Sequence, residues 1–83
     1  IEADVNAAGY RLLQSRQTTG AVTVMRVNTA LFPQSANVYD SLGEALERSG
    51  RRDDAIAAFR RALELNPNQF SARDGLRRLG VSP

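Results

Sequence analysis

The sequence has no histidine and no cysteine. Their absence removes the commonest general base, most nucleophile–base pairs and nearly every zinc site. It also excludes a disulfide framework and leaves the compartment open, cytoplasmic or periplasmic. No apolar run approaches the roughly 20 residues that a membrane-spanning helix requires. Lysine is missing too, so all eleven cations are arginine, set against nine acids for a net charge of +2. That preference reads as genome composition rather than guanidinium-specific recognition. The charge divides as +1 over residues 1–35, −1 over 36–69 and +2 over 70–83, without the concentrated basic stretch of a nucleic-acid footprint. Gly-x-Ser-x-Gly, Gly-x-Gly-x-x-Gly and the phosphate-binding loop are absent.

What remains is ordinary for a folded chain: 42% apolar and 24% charged residues, outside the disordered range. Eighty-three residues make one small domain with a modest core. The chain opens on Ile1 and reads as a piece of something longer.

A period of 34 organises it. Residues 2–35 align without gaps on 36–69, with identities at Gly9/Gly43, Leu12/Leu46, Ser15/Ser49, Ala21/Ala55, Arg26/Arg60, Leu31/Leu65 and Pro33/Pro67. Val22/Ile56 and Met25/Phe59 add conservative matches. In the second unit Tyr39, Leu42, Gly43 and Leu46 share one face of a helix over about Asn37–Ser49. Gly50 ends that helix in a left-handed conformation. Asp53 and Asp54 then carry negative charge at the start of the next helix, where adjacent side chains diverge too far to act as an acid–base pair. Ala55, Ile56, Phe59, Ala62 and Leu63 form its apolar face, and Asn66-Pro67 stops it. Gly43 and Ala55 are expected to meet at the helix crossing, with Tyr39 and Phe59 filling the space on either side. Ala62 leaves room for the following helix.

The first unit has Val5, Ala8, Gly9, Leu12, Ala21, Met25 and Pro33 in the matching places. Its stretch "AVTVMRV" has β-branched residues and an alternation suited to a strand, but the period requires a helix. After Pro67, Asn68 is a candidate helix cap. Phe70, Leu76 and Leu79 offer an apolar face, and Gly80 closes this short helix with Arg73, Arg77 and Arg78 toward water.

The pattern Tyr39-x2-Leu42-Gly43-x2-Leu46…Ala55-x3-Phe59…Pro67 resembles the tetratricopeptide repeat, with Tyr39 in place of the usual Trp and Leu46 in place of the usual Tyr. The resemblance implies an all-α, right-handed α-solenoid of antiparallel helix pairs. Five helices are expected in one domain over 1–83: a degenerate repeat over 2–35, a second over 36–69 and a capping helix over 70–80. It also implies a concave face built from first helices, placing Asn6, Tyr10, Leu13, Asn37, Asp40, Glu44 and Glu47 on the groove side, with Ser71, Asp74 and Arg78 from the capping helix. The Lys and Asn residues with which chaperone-binding members clamp a terminal carboxylate have no match at Asn6 and Tyr10, which argues against that ligand class. A face with Asp40, Glu44 and Glu47 would prefer a basic or neutral partner, its acids braced by Glu44–Arg48 and Glu47–Arg51 pairs. The same three acids lack the tight oxygen-rich loop of a calcium site.

The expected function is therefore a non-catalytic protein–protein interaction module, without cofactor or metal, that holds a peptide, a parent enzyme domain or another copy of itself. An apolar face around Ile1, Val5, Val22, Val24 and Val27 would be covered by such a neighbour. The phrase "GYRLLQ…NTALFPQSANVYDSLGEAL" also resembles repeats at the C-terminal end of bacterial serine hydrolases of the β-lactamase-like and α/β-hydrolase kinds, implying an enzyme appendage. A second reading is a nucleic-acid-binding domain using Arg48, Arg51, Arg52, Arg60 and Arg61. The acids interleaved with those arginines weaken the field it would need.

Overall fold

The computed structural model describes residues 1–83 as five α-helices and no strand: α1 (Glu2–Gln14), α2 (Thr18–Leu31), α3 (Ala36–Arg48), α4 (Arg52–Leu65) and α5 (Phe70–Arg78). Helices α1 and α2 pair, as do α3 and α4. The first pair stacks on the second through α2 and α3, and α5 packs on α4 and along α3. The result measures 29 × 25 × 16 Å. The β-branched stretch Ala21–Val27 lies wholly within α2. Burial of Ala21, Val22 and Met25 on one face overrides local strand preference there.

Three of the helices, α1, α3 and α5, end by the same device. After α3, the Gly50 N–H donates to Glu47 O (3.1 Å) and the Arg51 N–H to Leu46 O (3.0 Å), with Gly50 at φ 79°. After α5, Gly80 and Val81 repeat this geometry on Arg77 and Leu76. After α1 the left-handed position falls to Arg16, at φ 63°, whose N–H donates to Leu13 O while Gln17 donates to Leu12 O. This pair of bonds satisfies carbonyls that a helix end leaves orphaned. Arginine at that position pays a steric penalty of about 1–2 kcal/mol that glycine avoids. Ser35 caps α3, accepting from the Val38 N–H at 3.4 Å. Asn68 does not cap α5, whose N-cap residue is Gln69 with no side-chain capping bond to the helix. The Asn66 side chain instead accepts from the Asn68 N–H at 3.0 Å, a local turn that sets the entry to α5.

The core runs through both pairs and into α5: Leu13, Ala21, Val22, Met25, Leu42, Ala45, Leu46, Ala55, Ala58, Phe59, Ala62, Ala72 and Leu76. Phe59 is its hub. A Cβ added at Gly43 would lie 2.6 Å from the ring's Cδ1 and Cε1, and one at Gly75 would lie 2.5 Å from its Cζ. The ring is thus clasped by glycines of α3 and α5. The atoms for which Gly43 makes room are those of Phe59 rather than Ala55, because the ring reaches across from α4 to lie against the bare α3 backbone. In the first pair the Met25 side chain takes the same role, 2.6 Å from a Cβ at Gly9.

Phe70 is 62% exposed. Ala72, Gly75 and Leu76 form the buried face of α5, and Phe70 starts the helix on the opposite side, where Arg73 stacks over it at 5.5 Å. Of the apolar surface expected on the first pair, Val22 is buried, Val5 and Val24 are half-buried, and Ile1 and Val27 are exposed; Leu31, outside that expectation, is exposed as well.

Two outcomes follow for stability. Gly43→Ala should cost about 1–3 kcal/mol by overpacking, since Gly75 blocks retreat of the ring. Gly9→Ala should cost less, because methionine can change rotamer, and Phe59→Ala should cost about 3–5 kcal/mol. Urea unfolding monitored by circular dichroism would rank the three. Separately, Arg16→Gly should stabilise by roughly 0.5–1 kcal/mol, the strain relieved exceeding the entropy added to the unfolded chain. A rise of a few degrees in Tm is the expected reading.

Candidate binding groove

A cleft of about 530 Å³ is bounded by Tyr10 of α1, by Asp40, Glu44, Glu47 and Arg48 of α3, by Phe59 of α4, and by Ser71, Asp74 and Arg78 of α5. Spacings of four and three residues put Asp40, Glu44 and Glu47 along one stripe of α3. Tyr10 and α5 supply the facing walls. Seven of the ten residues assigned to the groove side from sequence line the cleft. Leu13 does not, being buried in the core. Asn37 is exposed one turn before Asp40, outside the cleft, and Asn6 is half-buried away from it. Asn6 keeps a buried Oδ1 with no hydrogen-bond partner.

Arg48 and Phe59 also border the cleft. Arg48 was legible as the partner of Glu44 four residues earlier and as one arginine of the nucleic-acid reading, but not as part of the groove. Phe59 was legible only as core, and it remains core: fully buried, its ring lies beneath the cleft against the bare backbones of the glycines beside it.

Every carboxylate in the cleft has a partner within the chain. Glu44 accepts from Tyr10 OH at 2.7 Å through Oε2 and from Arg48 Nη2 at 2.8 Å through Oε1. Glu47 takes a two-point bond from Arg78, Nε to Oε2 at 3.1 Å and Nη2 to Oε1 at 2.9 Å. Asp40, buried, accepts at Oδ2 from Gln69 Nε2 (2.9 Å) and from Ser71 Oγ. Asp74 pairs with Arg77 at 3.3 Å on the exposed rim. The Glu47–Arg51 pair expected from sequence does not form. The left-handed residue Gly50 takes Arg51 off the helical path, so four-residue spacing no longer brings the two together, and Arg78 fills the role from α5. The lining has four acids and two arginines, so it is net acidic even with its internal pairs made.

Burial pushes the Tyr10 phenol up from 10.0 to about 12, assisted by its bond to Glu44 and the charges of Glu44 and Asp40 and opposed by its bond to Ser41. Tyr10 therefore stays a neutral donor across the physiological range. The two-point bond to Glu47 holds the Arg78 guanidinium above the usual arginine range.

The geometry resembles a helical repeat scaffold, and comparison with known proteins agrees. Residues 36–69 match the family model of the tetratricopeptide repeat. A solved structure titled MamA MSR-1 C2 superposes with a TM-score of 0.74 at 27% identity, covering 96% of this chain and 48% of that one. The fold is a tetratricopeptide-repeat fold. Among curated proteins, protein arginine N-methyltransferase 9 is similar over 49 residues, at 39% identity in Homo sapiens and 41% in Xenopus laevis. That stretch is 59% of this chain and only 6% of each relative, so the likeness is confined to a small part of each relative. Tetratricopeptide-repeat folds are typically non-catalytic scaffolds for protein–protein interaction, and no helix here is long and apolar enough to cross a membrane.

The phenol gives a pH test. Its pKa is higher in the folded than in the unfolded chain, so its contribution to stability is whole below pH 10 and is lost as pH rises from 10 toward 12. Stability should fall across that window, less steeply in Tyr10→Phe. The tyrosinate absorbance of the folded protein should contain a component with a midpoint near 12 that this substitution removes.

Proposed function

We propose that this chain is a non-catalytic docking module whose groove, between α1, α3 and α5, holds a basic or neutral segment of a partner protein. The observation that carries this reading is a net acidic cleft in a tetratricopeptide-repeat fold. The residues proposed to meet the partner are Tyr10, Asp40, Glu44, Glu47, Ser71, Asp74 and Arg78, to which Arg48 is added. Asn6, Leu13 and Asn37 are not retained. The partner class is protein. The nucleic-acid reading is not favoured, because the arginines of α4 are interleaved with Asp53, Asp54 and Glu64. A host enzyme is one setting for such a module: in the methyltransferase relatives the similar segment is a small part of a longer enzyme. Attachment to a serine hydrolase remains a proposal of the sequence resemblance alone, as does self-association, and the residues upstream of Ile1 and sedimentation would test them in turn.

Selection from a random peptide display library on the immobilised domain provides the decisive test. The expected enrichment is for Arg- and Lys-containing sequences, abolished on a Glu44→Gln/Glu47→Gln domain that melts like the parent. Enrichment of acidic sequences, or enrichment unaltered by the double substitution, would discard the acidic-groove reading.

A further inference from the structure

We infer that Arg48 and Arg78 are internal stand-ins for two arginines of the partner, occupying the groove's carboxylates until the partner's own guanidinium groups replace them. This rests on the groove reading above and adds the chemical identity of the occupant. The Glu47 carboxylate already has a guanidinium seated on it in two-point geometry, donated by a helix 31 residues further along the chain. The carboxylate is thus oriented for a planar fork matched to its two oxygens, which lysine cannot reproduce.

The two partners of each pair differ in exposure in the way displacement requires. The side chains of Glu47 and Glu44 are 21% and 30% exposed, whereas those of Arg78 and Arg48 are 52% and 48% exposed. The acids are the fixed part, Glu44 being held from the other side by Tyr10. The arginines lie over them on long flexible stems open to water. An exposed pair of this kind is worth little, because ordering the stem offsets most of the attraction. Releasing both arginines to solvent therefore costs little, and an incoming guanidinium recovers the same bonds.

Removing both without replacement would leave Asp40, Glu44 and Glu47 as three neighbouring charges on one helix face, a repulsive arrangement. The stand-ins thus lower the repulsion within the unoccupied groove. Glu44 and Glu47 are three residues apart, about 4.5 Å along the helix axis. An extended segment with arginines at alternate positions presents its side chains on one face roughly 7 Å apart, a span that long side chains can close.

The test uses the whole 83-residue chain and three blocked pentapeptides as probes: Ala-Arg-Ala-Arg-Ala and its lysine and glutamate counterparts. Calorimetric titration of the parent should give weak binding of the arginine peptide and weaker binding of the lysine one. Arg48→Ala/Arg78→Ala should bind the arginine peptide about three- to tenfold more tightly, the internal competitors having been removed. Arg78 also ties α5 to α3, so Arg48→Ala alone, whose pair lies within α3, serves as a second variant and should tighten binding about two- to threefold. In the parent, the Arg78 Nε–H resonance should move to the position of free arginine as the peptide saturates.

If Glu44→Gln/Glu47→Gln weakens arginine-peptide binding but the arginine substitutions do not tighten it, the stand-in idea falls while the groove reading survives. If the Gln variant binds as the parent does, or neither parent nor double alanine variant binds the arginine peptide, both fall. Binding of the glutamate peptide that is lost in the alanine variants would overturn the proposal by making the two arginines the recognition elements themselves.

Discussion

The ring of Phe59, held between the bare backbones at Gly43 and Gly75, is the constraint on which the rest of the molecule depends. An aromatic side chain from α4 can lie between α3 and α5 only if both helices lack a Cβ at the place of closest approach. That requirement fixes the separation of α3 and α5, and the separation sets the width of the cleft. Core and site are consequently one structure seen from two sides. Phe59 is fully buried and supplies cohesion, and its ring lies directly beneath the groove.

Polar bonds refine what the ring establishes. Asp40 is tied to Gln69 and Ser71 at the start of α5, and Glu47 to Arg78 at its end. The capping helix is therefore pinned to α3 at both ends by carboxylates of α3. Burying Asp40 costs solvation that only multiple donors can offset, and α5 delivers two to one oxygen. A helix of nine residues, too short to persist alone, is held by this arrangement and by Ala72 and Leu76 in the core.

The helical pairs, their turns and their packing residues were readable because each depends on spacing along the chain: the period of 34, Gly50 and Gly80 at helix ends, Phe59 and Met25 as plugs. What escaped depends on directions that spacing alone leaves undetermined. Phe70 is apolar yet falls on the wrong side of its helix by rotation. Glu47 and Arg51 have the correct separation, but a left-handed residue intervenes. Leu13 occupies the position of Glu47 in the first unit, and its apolar side chain turns to the core instead of the groove. The interhelical bonds of Tyr10, Asp40 and Arg78 join residues about thirty apart, and no local pattern announces them.

The two helix pairs are unequal. Where the second has Gly50, Phe59 and Ala62, the first has a strained Arg16, a pliable Met25 and a buried Asn28 whose Oδ1 lacks a partner. Solenoid stability is distributed unit by unit, so α1 and α2 should loosen before α3, α4 and α5 do. Tyr10, which forms one wall of the groove, belongs to the softer half. The cleft accordingly straddles a boundary between firm and yielding ground, and a guest gripping both sides would brace the very part of its host that is readiest to come apart.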